Sequence, residues 1–305
     1  MTESAFGAAL RSGKFVVTAE VAPPVSADPA DLLARALPLK GHATAVNVTD
    51  GAGAKAHMSS IAASVILLQN GIEPVLQVTC RDRNRLALES DFIGAAALGI
   101  RNVLILTGDD PKLGDQPDTK PVFDFTSAAL LQMAQKMRTE HALPTGTAIK
   151  GNLDFVLGGA DMPLDPPADW APKSLVAKID AGADFVQTQF CMDTRIVRAY
   201  AKRLMDLGVA QRVRILIGVA PLPSAKSARW MKEKLFGTII DDAYIDRLDK
   251  AADPKAEGIK LCAELMQELA TIPGISGAHV MAPQNPSAIP LVIEASGVAG
   301  KPRAL

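Results

Sequence analysis

From residue 15 onward the chain alternates short apolar runs with longer amphipathic ones. The first run, 15–21, reads as a strand stopped by Pro23 and Pro24. The pattern then predicts a helix over 29–39 capped by Asp28, a strand over 45–48, and a helix over 59–69 ended by Gly71. A strand over 74–80 and a helix over 85–98, ended by Gly99, follow. Residues 103–106 are a continuous apolar run of the kind covered on both faces, halted by Thr107-Gly108-Asp109-Asp110-Pro111. Further on, the spacing predicts a helix over 127–140, a strand over 146–150 and a Gly/Pro/Asp-rich loop over 151–172. Three more units follow, with strands at 184–189, 213–219 and 274–281. Helices are expected at 174–181, 194–207, 227–235, about 241–251, 255–272 and 289–295.

Strand–helix units that repeat without a break in composition point to a single (β/α)8 barrel over residues 1–305, with extra helices near the C-terminus. A doubly wound dinucleotide fold should carry GxGxxG after its first strand, where this chain has Pro23-Pro24. No Walker loop occurs either.

Charge narrows the function classes. With 32 basic and 33 acidic side chains and 4% aromatics, the chain lacks the basic excess and stacking surface expected of a nucleic-acid binder. No apolar run approaches the length of a membrane span, and the first 15 residues lack a signal-peptide core. Cys80, Cys191 and Cys262 form no CxxC, which argues against a zinc site or disulfide framework and for a reducing, cytoplasmic compartment.

In such a barrel the chemistry sits at the carboxyl ends of the strands. Those ends read Glu20, Thr49-Asp50, Gln77 to Thr79, Thr107-Gly108-Asp109, Lys150, Gln187 to Gln189, Pro221 and Gln284-Asn285. Glu20 interrupts an otherwise buried strand. A carboxyl group there either takes up a proton, and can act as a general acid, or pairs with a nearby Lys or Arg. Gln187 and Gln189 leave two readings open: partners for the amide edges of a fused heterocycle, or a polar layer filling the barrel. Of His42, His57, His141 and His279, only His279 falls in a predicted strand, none is spaced for a metal, and a core or solvated role is expected for each. Cys80 and Cys191 read as small buried residues, and Lys150 as a salt-bridge or ligand-phosphate lysine.

Taken together, Glu20, Thr49, Asp109 and Gln189 make the chain resemble the methylenetetrahydrofolate reductase family, in its short branch that consists of the catalytic domain alone. The likeness runs from about Lys14 to Val298. It is carried by Thr18-Ala19-Glu20-Val21-Ala22-Pro23-Pro24, Val46-Asn47-Val48-Thr49-Asp50, Val78-Thr79-Cys80-Arg81-Asp82, Leu106-Thr107-Gly108-Asp109 and the run from Asp180 to Phe190.

The resemblance implies a flavoprotein that interconverts 5,10-methylene- and 5-methyltetrahydrofolate by hydride transfer through flavin N5. Glu20 matches the general acid and Asp109 the carboxylate beside flavin and pterin. Gln189 matches the pterin-binding glutamine, and Ser227 is assigned to the folate. Thr49, Gly108 and Lys178 match flavin contacts, with Lys178 on the pyrophosphate. Gln77 and Thr107 stand where the family has a histidine and an arginine against the flavin, Lys150 is assigned to the cofactor, and Met231 aligns with a stacking phenylalanine. The flavin would be FAD or FMN. The electron donor would be NADH, using the flavin face itself, or a partner electron-transfer subunit. Association into a homo-oligomer is compatible with the resemblance. Two alternatives remain open from sequence. One is a non-redox folate barrel that passes methyl to a corrinoid protein. The other is a non-catalytic subunit of an electron-transfer complex.

Overall fold

The computed structural model describes residues 3–283 and 285–304; Gln284, expected at the rim beside Asn285, lies outside them. Eight parallel strands close a barrel in the order β1 (Val16–Val21), β2 (Ala45–Val48), β3 (Pro74–Thr79), β4 (Asn102–Leu106), β5 (Val156–Asp161), β6 (Phe185–Met192), β7 (Arg214–Val219) and β9 (Gly277–Val280), which returns to β1. The two-residue β8 (Ile239–Ile240) lies outside this ring and pairs with Cys191 and Met192 at the end of β6.

Helices surround the ring: α2 (Pro29–Ala36), α3 (Ser60–Gln69), α4 (Arg85–Ala97), α5 (Ser127–Glu140), α6 (Lys173–Asp180), α7 (Thr194–Asp206), α8 (Ala225–Lys234), α9 (Asp242–Lys250), α10 (Pro254–Leu269) and α11 (Ala288–Ser296). The expected cap of α2 forms: Asp28 accepts a hydrogen bond from the Ala30 amide at 2.9 Å, with Pro29 in the first turn. Among the described residues no helix is long and apolar enough to cross a membrane.

The fifth strand is displaced from its expected position. Residues 141–150 form a tight antiparallel turn, in which Ala142 bridges Ala148 and the Ile149 amide donates to the His141 carbonyl at 2.7 Å. The barrel strand begins only at Val156. Its two glycines weaken the apolar signal, and packing explains one of them: a Cβ on Gly158 would stand 2.2 Å from Cζ of Phe185. Lys150 therefore belongs to the α5–β5 connection, at the amino end of the barrel. It is exposed there, across the molecule from the rim to which the sequence reading assigned it.

An N-terminal helix, α1 (Ala5–Arg11), closes that amino end. Phe6 and Leu10 pack onto the inward residues Val16, Ala45, Val75, Leu104, Val156, Phe185 and Leu216. The Phe6 and Phe185 rings meet edge to face at 5.0 Å. Burying such a side chain contributes roughly 1.5–3 kcal/mol, so this plug is a substantial part of the barrel floor. Ser4 fixes it, donating to Asn102 Oδ1 at 2.7 Å and accepting from the Gly7 amide at 2.9 Å. With the floor closed, the open end of the barrel is the carboxyl rim.

Candidate active site

Alternation along β1 sends Val17, Ala19 and Val21 outward into the helical layer, and Val16, Thr18 and Glu20 into the barrel. Glu20 is the uppermost of the three and reaches the mouth, with its side chain 22% exposed. It stands neither alone nor, among the described residues, beside a lysine or arginine. Gln77 donates from Nε2 to Glu20 Oε2 at 3.2 Å, and Nε2 of His279 lies 3.6 Å from the same oxygen. Gln77 is an uncharged amide, and neither it nor the imidazole is a permanent countercharge for the carboxyl group.

A polar layer lies directly beneath. Asn47 and Gln187 bond each other reciprocally across the barrel, at 2.6 and 3.0 Å. Gln187 also reaches Thr18 Oγ1 at 2.9 Å, and Thr18 Oγ1 lies 2.9 Å from Nδ1 of His279. Gln187 thus takes the interior-layer role of its two open readings. His279 is a core histidine as expected, yet it also borders the site, which the sequence reading missed. A polar residue inside an apolar strand, the cue that singled out Glu20, was available for it.

Gln189 behaves differently, because the β6–β7 register shifts between Gln187 and Phe190. Such a bulge re-aims the side chains that follow it. The Gln189 carboxamide accepts from the Phe190 amide at 3.0 Å and donates to the Phe236 carbonyl at 3.2 Å. It lies half-buried on the rim beside the exposed Phe236 ring.

At the ends of β2, β3 and β4 a charged lattice holds the loops. One Asp50 carboxylate oxygen accepts from the Thr79 amide at 2.8 Å and its hydroxyl at 3.0 Å, and pairs with Arg83. Arg81 is buried. It pairs with Asp82 and donates to the Gly51 and Asp109 carbonyls at 3.2 and 3.3 Å. The Asp82 bond, foremost, holds its guanidinium above the usual arginine range. Asp109 is exposed at the rim, where its Oδ2 accepts from the Gly53 amide at 2.8 Å. Thr107 is exposed next to it. Gly108 has φ +96°, and a Cβ there would lie 2.9 Å from Cβ of Arg81. Thr49 is buried, and its Oγ1 finds no partner among the described residues.

The end of β5 carries a group that the sequence reading passed over. Asp161 accepts a hydrogen bond from the Tyr200 hydroxyl, and Lys178 bonds the adjacent Ala160 carbonyl. Burial pushes the Asp161 carboxyl above its usual range, against the Tyr200 bond and the Lys178 charge. Lys178 therefore reaches the end of β5 from α6. Ser227 lies in the first turn of α8, its amide bonded to Ser224 Oγ at 3.2 Å. Met231 is buried in the helical core.

Of the expected site residues, Glu20 and Gln77 touch directly. Thr49, Thr107, Gly108, Asp109, Lys178, Gln189 and Ser227 stand around the same rim, and Lys150 does not. The cysteines are inert cores: burial raises the Cys80 thiol to about 11 and the Cys191 thiol to about 12.

The chain matches the family profile described as methylenetetrahydrofolate reductase over residues 5–297. A Schizosaccharomyces pombe relative, Methylenetetrahydrofolate reductase 1, is 25% identical over 266 residues, which is 83% of this chain and 40% of the relative. A Caenorhabditis elegans relative, Probable methylenetetrahydrofolate reductase (NADPH), is 30% identical over 219 residues, covering 69% of this chain and 30% of the relative. The chain thus spans less than half the length of these relatives. Among solved structures, a Clostridium thermocellum protein described as binding two copies of 5-methyl-5,6,7,8-tetrahydrofolic acid superposes with a TM-score of 0.64. It shares 13% identity, over 96% of this chain and 98% of that one, a likeness of fold.

Proposed function

The chain belongs to the methylenetetrahydrofolate reductase family, and on that premise we propose that it interconverts 5,10-methylene- and 5-methyltetrahydrofolate. The observation that carries the reading is the Glu20 carboxyl group at the barrel mouth, bonded by Gln77 and faced by His279. A proton donor at the open end of a closed barrel is what opening the folate's five-membered ring requires.

The rim also fits the flavin that the family implies. The Thr49 hydroxyl, without a partner among the described residues, offers a hydrogen bond at the end of β2, and Gly108 packs its backbone closely against Arg81 and Thr79 at the end of β4. Thr107, Asp109 and Gln77 flank these strand ends, and Lys178 offers a cation for the diphosphate at the end of β5. FAD held there, or FMN with the same ring, supplies hydride chemistry between NADH and the one-carbon unit.

The chain's own residues do the rest. Glu20 gives its proton to folate N10 as the N10–methylene bond breaks, which leaves a 5-iminium cation on the substrate. Asp109, fixed by the Gly53 amide, provides a preorganised negative charge for that cation. Gln189 offers one acceptor and two donors to the pterin edge, exchanging its contacts to Phe236 and Phe190 for the ligand. In the oxidative direction Glu20, as carboxylate, takes the N10 proton back.

The visible spectrum of the freshly purified protein tests the reading. A flavin band that bleaches with NADH and returns with methylenetetrahydrofolate is expected. A colourless protein that takes up neither FAD nor FMN would replace it with a non-redox folate barrel.

A further inference from the structure

We infer that Asn47 and Gln187 are positioning residues for Glu20. They act through His279, fixing it as the tautomer that turns its Nε2 hydrogen toward the carboxyl group. The consequence for turnover rests on the proposed role of Glu20; the tautomer itself does not.

Hydrogen counting carries the argument. The Gln187 amide nitrogen has two hydrogens. One goes to Asn47 Oδ1 at 3.0 Å, while Asn47 returns a hydrogen to Gln187 Oε1 at 2.6 Å. The second goes to Thr18 Oγ1 at 2.9 Å, with Nδ1 of His279 beyond it at 3.4 Å. The Thr18 hydroxyl, already accepting, has one hydrogen to give, and Nδ1 of His279 lies 2.9 Å away. Nδ1 is thus the acceptor, and a neutral imidazole must carry its hydrogen on Nε2. That nitrogen is the one 3.6 Å from Glu20 Oε2.

Turning both carboxamides over reverses every step. Gln187 would then accept from Thr18, Thr18 would accept from Nδ1, and a bare lone pair would face the Glu20 carboxylate. While Glu20 is a carboxylate, two acceptors face to face at the partly buried mouth are unfavourable. All four groups are buried: Thr18 and Asn47 are 0% exposed, Gln187 and His279 3%. Water therefore does not compete for these hydrogens, and the reciprocal amide pair locks the whole column in the one direction that Glu20 accepts. β1 and β9 keep it in register, with Thr18 directly beside His279.

The test uses the full chain labelled with 15N-histidine. Long-range proton–nitrogen correlations report which ring nitrogen carries hydrogen, and His279→Gln identifies the signals. Nε2–H is expected for wild type and for Thr18→Ser, which keeps the hydroxyl. In Asn47→Leu/Gln187→Met both partners of the pair become apolar, so no amide is orphaned and the fold is kept. That variant should lose the Nε2–H preference, and its folate-step kcat should fall about ten- to a hundredfold with KM little changed. Nδ1–H in wild type, an unchanged tautomer in the double variant, or a shifted tautomer with undiminished kcat would each overturn the inference. Folate turnover retained by Glu20→Gln would instead overturn the role of Glu20, leaving the tautomer result standing.

Discussion

The carboxylate of Asp161, at the end of β5, accepts a hydrogen bond from the Tyr200 hydroxyl, which reaches it from α7. The bond ties the rim of the barrel to its helical layer, at the cost of burying an acid. Burial raises the Asp161 carboxyl above its unfolded value of about 3.9. A raised folded pKa means that the folded state holds the proton longer, so stability falls as pH climbs through the interval between the two values. Asp161→Asn removes the ionisation and keeps an acceptor for Tyr200. Its urea midpoint should exceed that of wild type at neutral pH, and the gain should shrink toward about pH 4. An equal difference at both pH values would contradict the assignment.

Gly108 tests the rim sterically. Its φ of +96°, and the 2.9 Å that would separate an added Cβ from Cβ of Arg81, leave no relaxed place for a side chain. Gly108→Ala should lose roughly 1–3 kcal/mol in denaturant unfolding and should also weaken flavin binding in a titration of the apoprotein. Wild-type stability would show that the loop yields without strain.

The thiols give a chemical check on the core. Cys80 at about 11 and Cys191 at about 12 hold thiolate fractions of roughly one in 10³ or less at pH 8. Complete burial pushes Cys262 higher still. All three should react slowly with a disulfide reagent in the native protein and fully in guanidinium. A thiol that reacts within seconds under native conditions would place it at the surface.

Much of this was legible in the sequence, for physical reasons. Strands such as β1, β3 and β4 are buried on both faces, so they read as nearly continuous apolar runs with sharp ends. Glu20 and Asp109 stood out because a charge that ends or interrupts such a run needs a reason. β5 was misread because Gly158 yields its side-chain space to Phe185, a packing constraint invisible along the chain. Its error carried Lys150 to the wrong end of the barrel. The plug helix α1 is only seven residues long, and its apolar face acquires meaning only once the floor exists. Gln187 and His279 come from β6 and β9, and their meeting depends on ring closure, which no local pattern encodes. The bulge that separates the fates of Gln187 and Gln189 is likewise a product of pairing with β7.

The central claim is that Glu20 serves the folate half of the reaction as acid. The most direct measurement is an anaerobic stopped-flow comparison of the two half-reactions in wild type and Glu20→Gln. The substitution keeps the size and one acceptor oxygen of the side chain while removing the acid. Flavin reduction by NADH should proceed in the variant at close to the wild-type rate, while reoxidation by methylenetetrahydrofolate should fall by about 10²-fold or more. Reoxidation at the wild-type rate would contradict the account.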